Sequence, residues 1–265
     1  MDLSPTDSTS EAWGVEPLRV LFGYDGSIGA DAALAAVTTL PWSAGTHLRV
    51  IGVRDAHLRF LRPLADEILF AEFEDVVSRA ARCLRAEVPL AAIDDRVVRG
   101  PAVPRILAEA ERLGADLIVV GSRNQGPMRS AILGSVAHDL TAAARIPVLV
   151  ARASHLGRLV LVHDGSEAAR AGMRVVSSWG IFSSGSVKVF SVVGLSRADA
   201  CAQVAVAVAL EEPELVVLGI SGVNALGFQA TLAGALLPRL HCSVLAVPSA
   251  GSLRGFAEDR MLAQR

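Results

Sequence analysis

Arg19-Val-Leu-Phe-Gly-Tyr-Asp-Gly-Ser27 returns, position for position, as Arg158-Leu-Val-Leu-Val-His-Asp-Gly-Ser166. Each is a short apolar run closed by Asp-Gly-Ser, the composition of a buried strand that ends in a turn. An alanine-rich, helix-like stretch follows each, Asp31 to Leu40 and Glu167 to Trp179. Asp25 to Val53 and Asp164 to Val192 are both spaced 28 residues, and both valines end apolar strands, Leu48–Val53 and Val187–Val192. The far ends match too, Ile146-Pro-Val-Leu-Val150 against Cys242-Ser-Val-Leu-Ala246. One duplicated unit accounts for all of this.

The interiors differ. Val53 lies 68 residues before Gly121, whereas Val192 lies only 27 before Gly219. The longer interval predicts a loop (Arg54 to Ala65), a helix (Asp66 to Glu87), a strand (Asp95 to Arg99) and a second helix (Pro104 to Leu113) with proline in its first turn. The shorter one holds a single helix, Arg197 to Leu210, so the second unit lacks one helix and one strand. Alternating strands and helices imply α/β architecture with a doubly wound parallel sheet in each unit. The expected domains are 17–151 and 157–248, joined by a short polar linker. Residues 1–16, acidic and rich in hydroxyls without a signal-peptide pattern, read as a disordered leader, and 249–265 as a tail. In that tail Leu253, Phe256, Ala257 and Met261 recur at helical spacing.

Bulk properties narrow the functional classes. A net charge of −2 gives no nucleic-acid footprint. Mean hydropathy is +0.45, yet no apolar run reaches the roughly 18–20 residues of a membrane span, so a soluble, cytoplasmic protein is expected. Cys83, Cys201 and Cys242 are isolated, and neither they nor the six histidines show metal-ligand spacing. They read as small hydrophobes in a reducing compartment.

The stretch with most bearing on function runs from an apolar strand, Asp116–Val120, through Gly121-Ser-Arg-Asn-Gln-Gly-Pro-Met-Arg-Ser-Ala-Ile-Leu-Gly-Ser135, into a helix from Val136 to Ala144. Glycines at a strand exit, Arg123 and Arg129, and a Gly-Ser pair opening a helix suit an anion, because backbone N–H groups point outward there. The spacing resembles the Gly-x2-Gly-x9-Gly-Ser/Thr signature of the universal stress protein (UspA) family. Gly121, Gly134 and Ser135 fall on it, and Asn124 stands at the second glycine. The resemblance implies a Rossmann-like sheet of order 3-2-1-4-5 in each unit, with the second lacking an edge strand and its helix. It also implies an ATP site in the first unit at the switch point between strands 1 and 4.

By that resemblance Asp25, with Gly26 and Ser27, lies near the ribose and phosphates, and the Val53 backbone meets adenine. Gly121, Ser122, Arg123, Asn124, Gly126, Gly134 and Ser135 would form the phosphate cradle, with Mg2+ as companion of ATP. Asp25-Gly-Ser and Gly134-Ser135 also read as plain helix caps, and Val53 as core. If position 124 needs positive φ, asparagine is the least costly substitute for glycine, and Gly126 is placed to take over the turn.

In the second unit Asp164 and both early glycines, Gly219 and Gly222, persist. Ala230-Thr231 stands in place of Gly-Ser, and the loop Val223–Gln229 contains no arginine, so a mainly structural role is expected. The resemblance further implies that the last strands of the two units pair within the chain, leaving a homodimer of the whole chain open. No catalytic arrangement is visible, although slow ATP hydrolysis or self-phosphorylation is compatible with the family. The alternatives are a nucleotide-free interaction scaffold of the same fold and an adenylating or flavin enzyme. The enzyme reading lacks its Ser-Gly-Gly-x-Asp-Ser or Gly-x-Gly-x-x-Gly loop.

Overall fold

The computed structural model describes residues 17–55, 63–122, 134–220 and 231–249. The expected leader, most of the 54–65 loop, residues 123–133 and the tail from 250 onward lie outside these. The first half runs β1 (Arg19–Gly23), α1 (Ile28–Thr39) and β2 (His47–Arg54), then α2 (Pro63–Glu87) and β3 (Ala92–Arg99). α3 (Ala102–Leu113), β4 (Leu117–Gly121), α4 (Ser135–Ala143) and β5 (Val148–Ala151) complete that half. The second half comprises β6 (Arg158–His163), α5 (Glu167–Ser178), β7 (Ser186–Ser191), α6 (Arg197–Glu211), β8 (Leu215–Ile220), α7 (Leu232–Leu236) and β9 (Ser243–Pro248).

The nine strands of the described residues form one sheet in the order β3-β2-β1-β4-β5-β9-β8-β6-β7. The first half therefore has the order 3-2-1-4-5, with every neighbouring pair parallel. β5 and β9 pair antiparallel, Val148 with Ala246, Leu149 with Leu245 and Val150 with Val244.

The central strands β1, β4, β5, β6, β8 and β9 are buried on both faces, as a sheet between helical layers requires. Val20 and Phe22 face a core shared with α1 and α2, and Leu21 faces a core shared with α3 and α4. Both cores run through the β5–β9 contact. Leu149 and Leu245 share one, and Val148, Val150, Val244 and Ala246 share the other. Each such side chain removed from water stabilises by about 1.5–3 kcal/mol.

The halves repeat small details as well. Asp116 accepts a hydrogen bond from the Arg19 N–H (2.7 Å), and Glu214 accepts one from the Arg158 N–H (3.2 Å). Gly114 ends α3 in the left-handed region (φ 61°), and Glu212 ends α6 there (φ 43°) at the matching position. The linker is pinned to β9, because the Ser243 hydroxyl accepts from the N–H groups of Arg152 and Ala153.

Several elements start ahead of the sequence reading, among them α1, α2 and β3 by three residues each. α1 starts at Ile28 rather than Asp31, because Ser27 caps it and draws Gly29 and Ala30 into the first turn. β3 begins at Ala92, three residues before the expected Asp95. The acidic pair Asp94-Asp95 argues against a strand, but Asp94 is bonded to Arg49 and His47 on β2. Arg49 also binds the buried Glu109 of α3 (3.0 Å), which Arg112 holds from its own helix.

Burial alone would raise the Glu109 carboxyl, but the hydrogen bonds from Arg112 and Arg49 outweigh it and leave it below the ordinary glutamate value. The Arg49 hydrogen bond lowers Asp94 in the same sense. Carboxylates lowered in the folded state stabilise at neutral pH, and that contribution is lost as pH falls through and below the ordinary carboxylate range near about 4. Thermal melts between neutral and acid pH should show the midpoint dropping in that window. A Glu109→Gln, Asp94→Asn variant should be less stable at neutral pH and show a shallower acid decline. Parallel curves for the two proteins would refute the assignment.

Candidate functional site

A cavity of about 330 Å³ opens where β1 and β4 diverge at their carboxyl ends. Strand order reverses there, with β2 on one side of β1 and β4, then β5, on the other, so no crossover covers the crevice. Its volume lies in the range of small-molecule sites.

The first wall is the β1–α1 turn. Asp25 accepts the Ser27 N–H (3.0 Å), Gly26 takes φ 74°, and the Ser27 hydroxyl accepts the Ala30 N–H (3.2 Å). This is a helix cap, and it nevertheless places Asp25 and Ser27 on the cavity. Gly26 does not reach the cavity. Its role is the turn, where a left-handed residue other than glycine typically costs about 1–2 kcal/mol. The second half repeats the turn without a change: Asp164 accepts the Ser166 N–H (3.0 Å), and Gly165 has φ 83°.

The second wall is the end of β2, which outruns β1. Gly23 is the last β1 residue in the ladder and pairs with Ile51, after which the Tyr24 N–H reaches the Ile51 carbonyl (3.0 Å). In a parallel ladder alternate residues turn their N–H and C=O to the same neighbour. His47 bonds toward β1, through its N–H to the Leu18 carbonyl, so Val53 faces the same way. β1 has ended at that level, and the Val53 main chain fronts the crevice instead.

The third wall is the exit of β4 and the start of α4. Gly121 and the buried Ser122 line it, as do Gly134, Ser135, Val136 and Ala137. Gly134 caps α4 without a side-chain hydrogen bond, and among the described residues no side chain takes up the N–H groups of that first turn, which carry partial positive charge. Arg123, Asn124, Gly126 and Arg129 lie outside the described residues.

Packing accounts for glycine at position 121. A Cβ there would fall inside the backbone of Gly29 and Ala30, and a Cβ on Gly29 would strike the Ser122 carbonyl. Gly219 on β8 meets the backbone of Ala168 and Ala169 in the same way. The first turn of the helix crosses the end of the fourth strand at backbone contact in both halves.

Several lining residues were not singled out from the sequence. Tyr24 lines the cavity, packs its ring beside Phe22 against the core under α1 and α2, and donates its hydroxyl to Asp31 (2.6 Å). Burial first, then Asp31, pushes this phenol above its ordinary value, so it remains a donor. Ile51, Ala102 and Ile106 supply apolar wall. Asp55 supplies a second carboxylate, so the charged side chains lining the cavity among the described residues are Asp25 and Asp55. Tyr24 was visible as the neighbour of Asp25, and Asp55 lies two residues beyond Val53. Ala102 and Ile106 carry no signal except α3's place after β3.

The Universal stress protein family profile matches residues 18–152, which is just over half the chain. The chain belongs to the universal stress protein family. Among relatives, universal stress protein Rv2624c of Mycobacterium tuberculosis (strain H37Rv) is 34% identical over 133 residues, 47% of this chain and 47% of that protein. Stress response protein NhaX of Bacillus subtilis is 35% identical over 79 residues, 30% of this chain and 46% of that protein. A Thermus aquaticus universal stress protein is 31% identical over 140 residues, half of this chain and 97% of its own length. The chain thus spans about half the length of the Mycobacterium and Bacillus relatives it matches. Of solved structures, a universal stress protein from Archaeoglobus fulgidus superposes with TM-score 0.66 at 15% identity, covering 87% of this chain and 97% of that one. At that identity the likeness concerns the fold. Among the described residues no helix is long and apolar enough to cross a membrane.

The α1–β4 crossing yields a sharp expectation. Gly121→Ala must push two backbones apart and should cost about 3 kcal/mol or more. Gly194, with φ 80° and nothing within 4 Å of an added Cβ, is the control. There Ala should cost only the left-handed strain, about 1–2 kcal/mol. Equal losses for the two variants in urea unfolding would contradict the packing role.

Proposed function

We propose that this universal stress protein is a tandem, non-enzymatic regulator that binds one adenine nucleotide, ATP with Mg2+, in the crevice of its first half. The observation that carries the reading is convergence. Asp25, the Val53 main chain and the uncapped start of α4 come from segments far apart in sequence and face one cavity. Ser135 with the first-turn N–H groups would hold phosphate, Asp25 would hold the ribose, and the Val53 main chain would hold the base edge. The flat apolar surface of Ile51 and Ile106 suits a purine ring. Arg123 and Arg129 would neutralise the phosphates together with Mg2+, against the carboxylates of Asp25 and Asp55. ATP supplies an occupancy signal here rather than a reaction, since no nucleophile–base pair was read in the sequence.

The second half is, on this reading, a shortened copy of the same domain with a mainly structural role, paired to the first through β5 and β9. The repeated Asp-Gly-Ser turn, the Gly219 crossing and a fold likeness reaching over 87% of the chain support it. Thr231, matched by counting to Ser135, instead holds the N-cap place of Gly134 and spends its hydroxyl on the Gly234 N–H (3.0 Å). α7 has only five residues against nine in α4, so the anion-binding end is reduced. A cytoplasmic location fits this regulator.

The other reading is a nucleotide-free interaction scaffold. The two carboxylates in the cavity favour it, and so does the packing role of Gly121. Titration calorimetry of the full chain with Mg-ATP separates the two. One site per chain is expected, weakened at least about tenfold, or about 1.4 kcal/mol, by Asp25→Ala and unchanged by Asp164→Ala. No heat at millimolar ATP, with the protein folded, would sink nucleotide binding and leave the scaffold.

A further inference from the structure

We infer that the chain forms a two-fold symmetric homodimer by antiparallel pairing of β7 with β7 of a second copy. The register of each half shows why this edge is unfinished. Leu48 and Val50 of β2 stand opposite Val20 and Phe22 of β1. Val187 and Val189 of β7 stand in the same places, opposite Leu159 and Leu161 of β6. Leu48 and Val50 are fully buried, in one core with Val77, Ala81 and Leu84 of α2. The second half has no element in that position among the described residues, and Val187 and Val189 are 43% and 56% exposed.

The surroundings extend the patch. Val193 and Leu195 follow the strand and are exposed; α6 packs on the other face of the sheet, where its Glu211 is paired with Lys188 of β7. Four of the eleven large apolar side chains exposed among the described residues thus lie on β7 and the segment directly after it. The opposite edge of the sheet, β3, carries Asp94, Asp95, Arg96 and Arg99, the guard that sheet edges ordinarily need. β7 carries one lysine.

The backbone determines what fits. Ser186 and Val192 donate their N–H groups to β6, so by alternation Val187, Val189 and Ser191 turn theirs outward. A second β7 running antiparallel meets this set with its own. Centring the pair on Lys188 would place two like charges opposite each other, which is destabilising. Centring it on Val189 opposes Val189 to itself, Val187 to Ser191 and Lys188 to Phe190. All outward groups are then satisfied, the two lysines are separated, and four valines lie side by side on the open face. The contact is self-complementary, as a two-fold interface must be. It is independent of what the crevice binds.

Light scattering of the full chain should give twice the 27.7 kDa chain mass at tens of micromolar. Val187→Lys with Val189→Lys should return it to monomer with the circular dichroism spectrum and melting unchanged. In a Cys83→Ser background, Val189→Cys should be captured by a short bis-maleimide as a 189–189 link, identified by peptide mapping. A monomer at every concentration would overturn the proposal, as would a dimer indifferent to both lysines or linked elsewhere. If ending the chain at Ser249 were needed before dimers formed, the tail would be the occupant of this edge, and the proposal would fail.

Discussion

The backbone contact between the first turn of α1 and the end of β4 governs the rest of this molecule. Gly29 and Gly121 meet without side chains, and nothing larger fits between them. That approach draws the N-terminus of α1, with Asp25 and Ser27, against Ser122 and fixes the floor of the crevice at the strand-order switch. A motif glycine that reads as a phosphate cradle is first a packing requirement. The cavity follows from the packing, because helix and strand touch as backbone and the lining polar groups are left at the rim.

A second constraint joins the halves. β5 and β9 each end a run of parallel strands, and their antiparallel pairing leaves neither as an edge. At β7, where no counterpart of α2 or β3 is found among the described residues, valines that match fully buried residues of β2 in register stand exposed.

Much of this was legible in the residues. The doubled Arg-to-Asp-Gly-Ser segment, the equal spacing to the second strand and the matched last strands define both the repeat and the first-half strand order. Asp25, Ser27, Val53, Gly121, Ser122, Gly134 and Ser135 line one cavity. Gly26 does not, because its φ serves the turn. What escaped reading depends on tertiary contact. Asp94 is compatible with a strand only because Arg49 and His47 meet it across the ladder. Asp55, Ala102 and Ile106 reach the cavity only because β2 outruns β1 and α3 returns beside it. Cys242 reads as a plain small hydrophobe, and burial does push its thiol up to about 11.

The most direct test of the central claim, that one nucleotide crevice is built at the β1–β4 switch of the first half, is hydrogen exchange by mass spectrometry with and without Mg-ATP. The account predicts slower exchange in residues 23–30, 51–55 and 134–137 together, with residues 163–169 of the second half unchanged. Protection confined to the second half, or equal in both Asp-Gly-Ser turns, would contradict it.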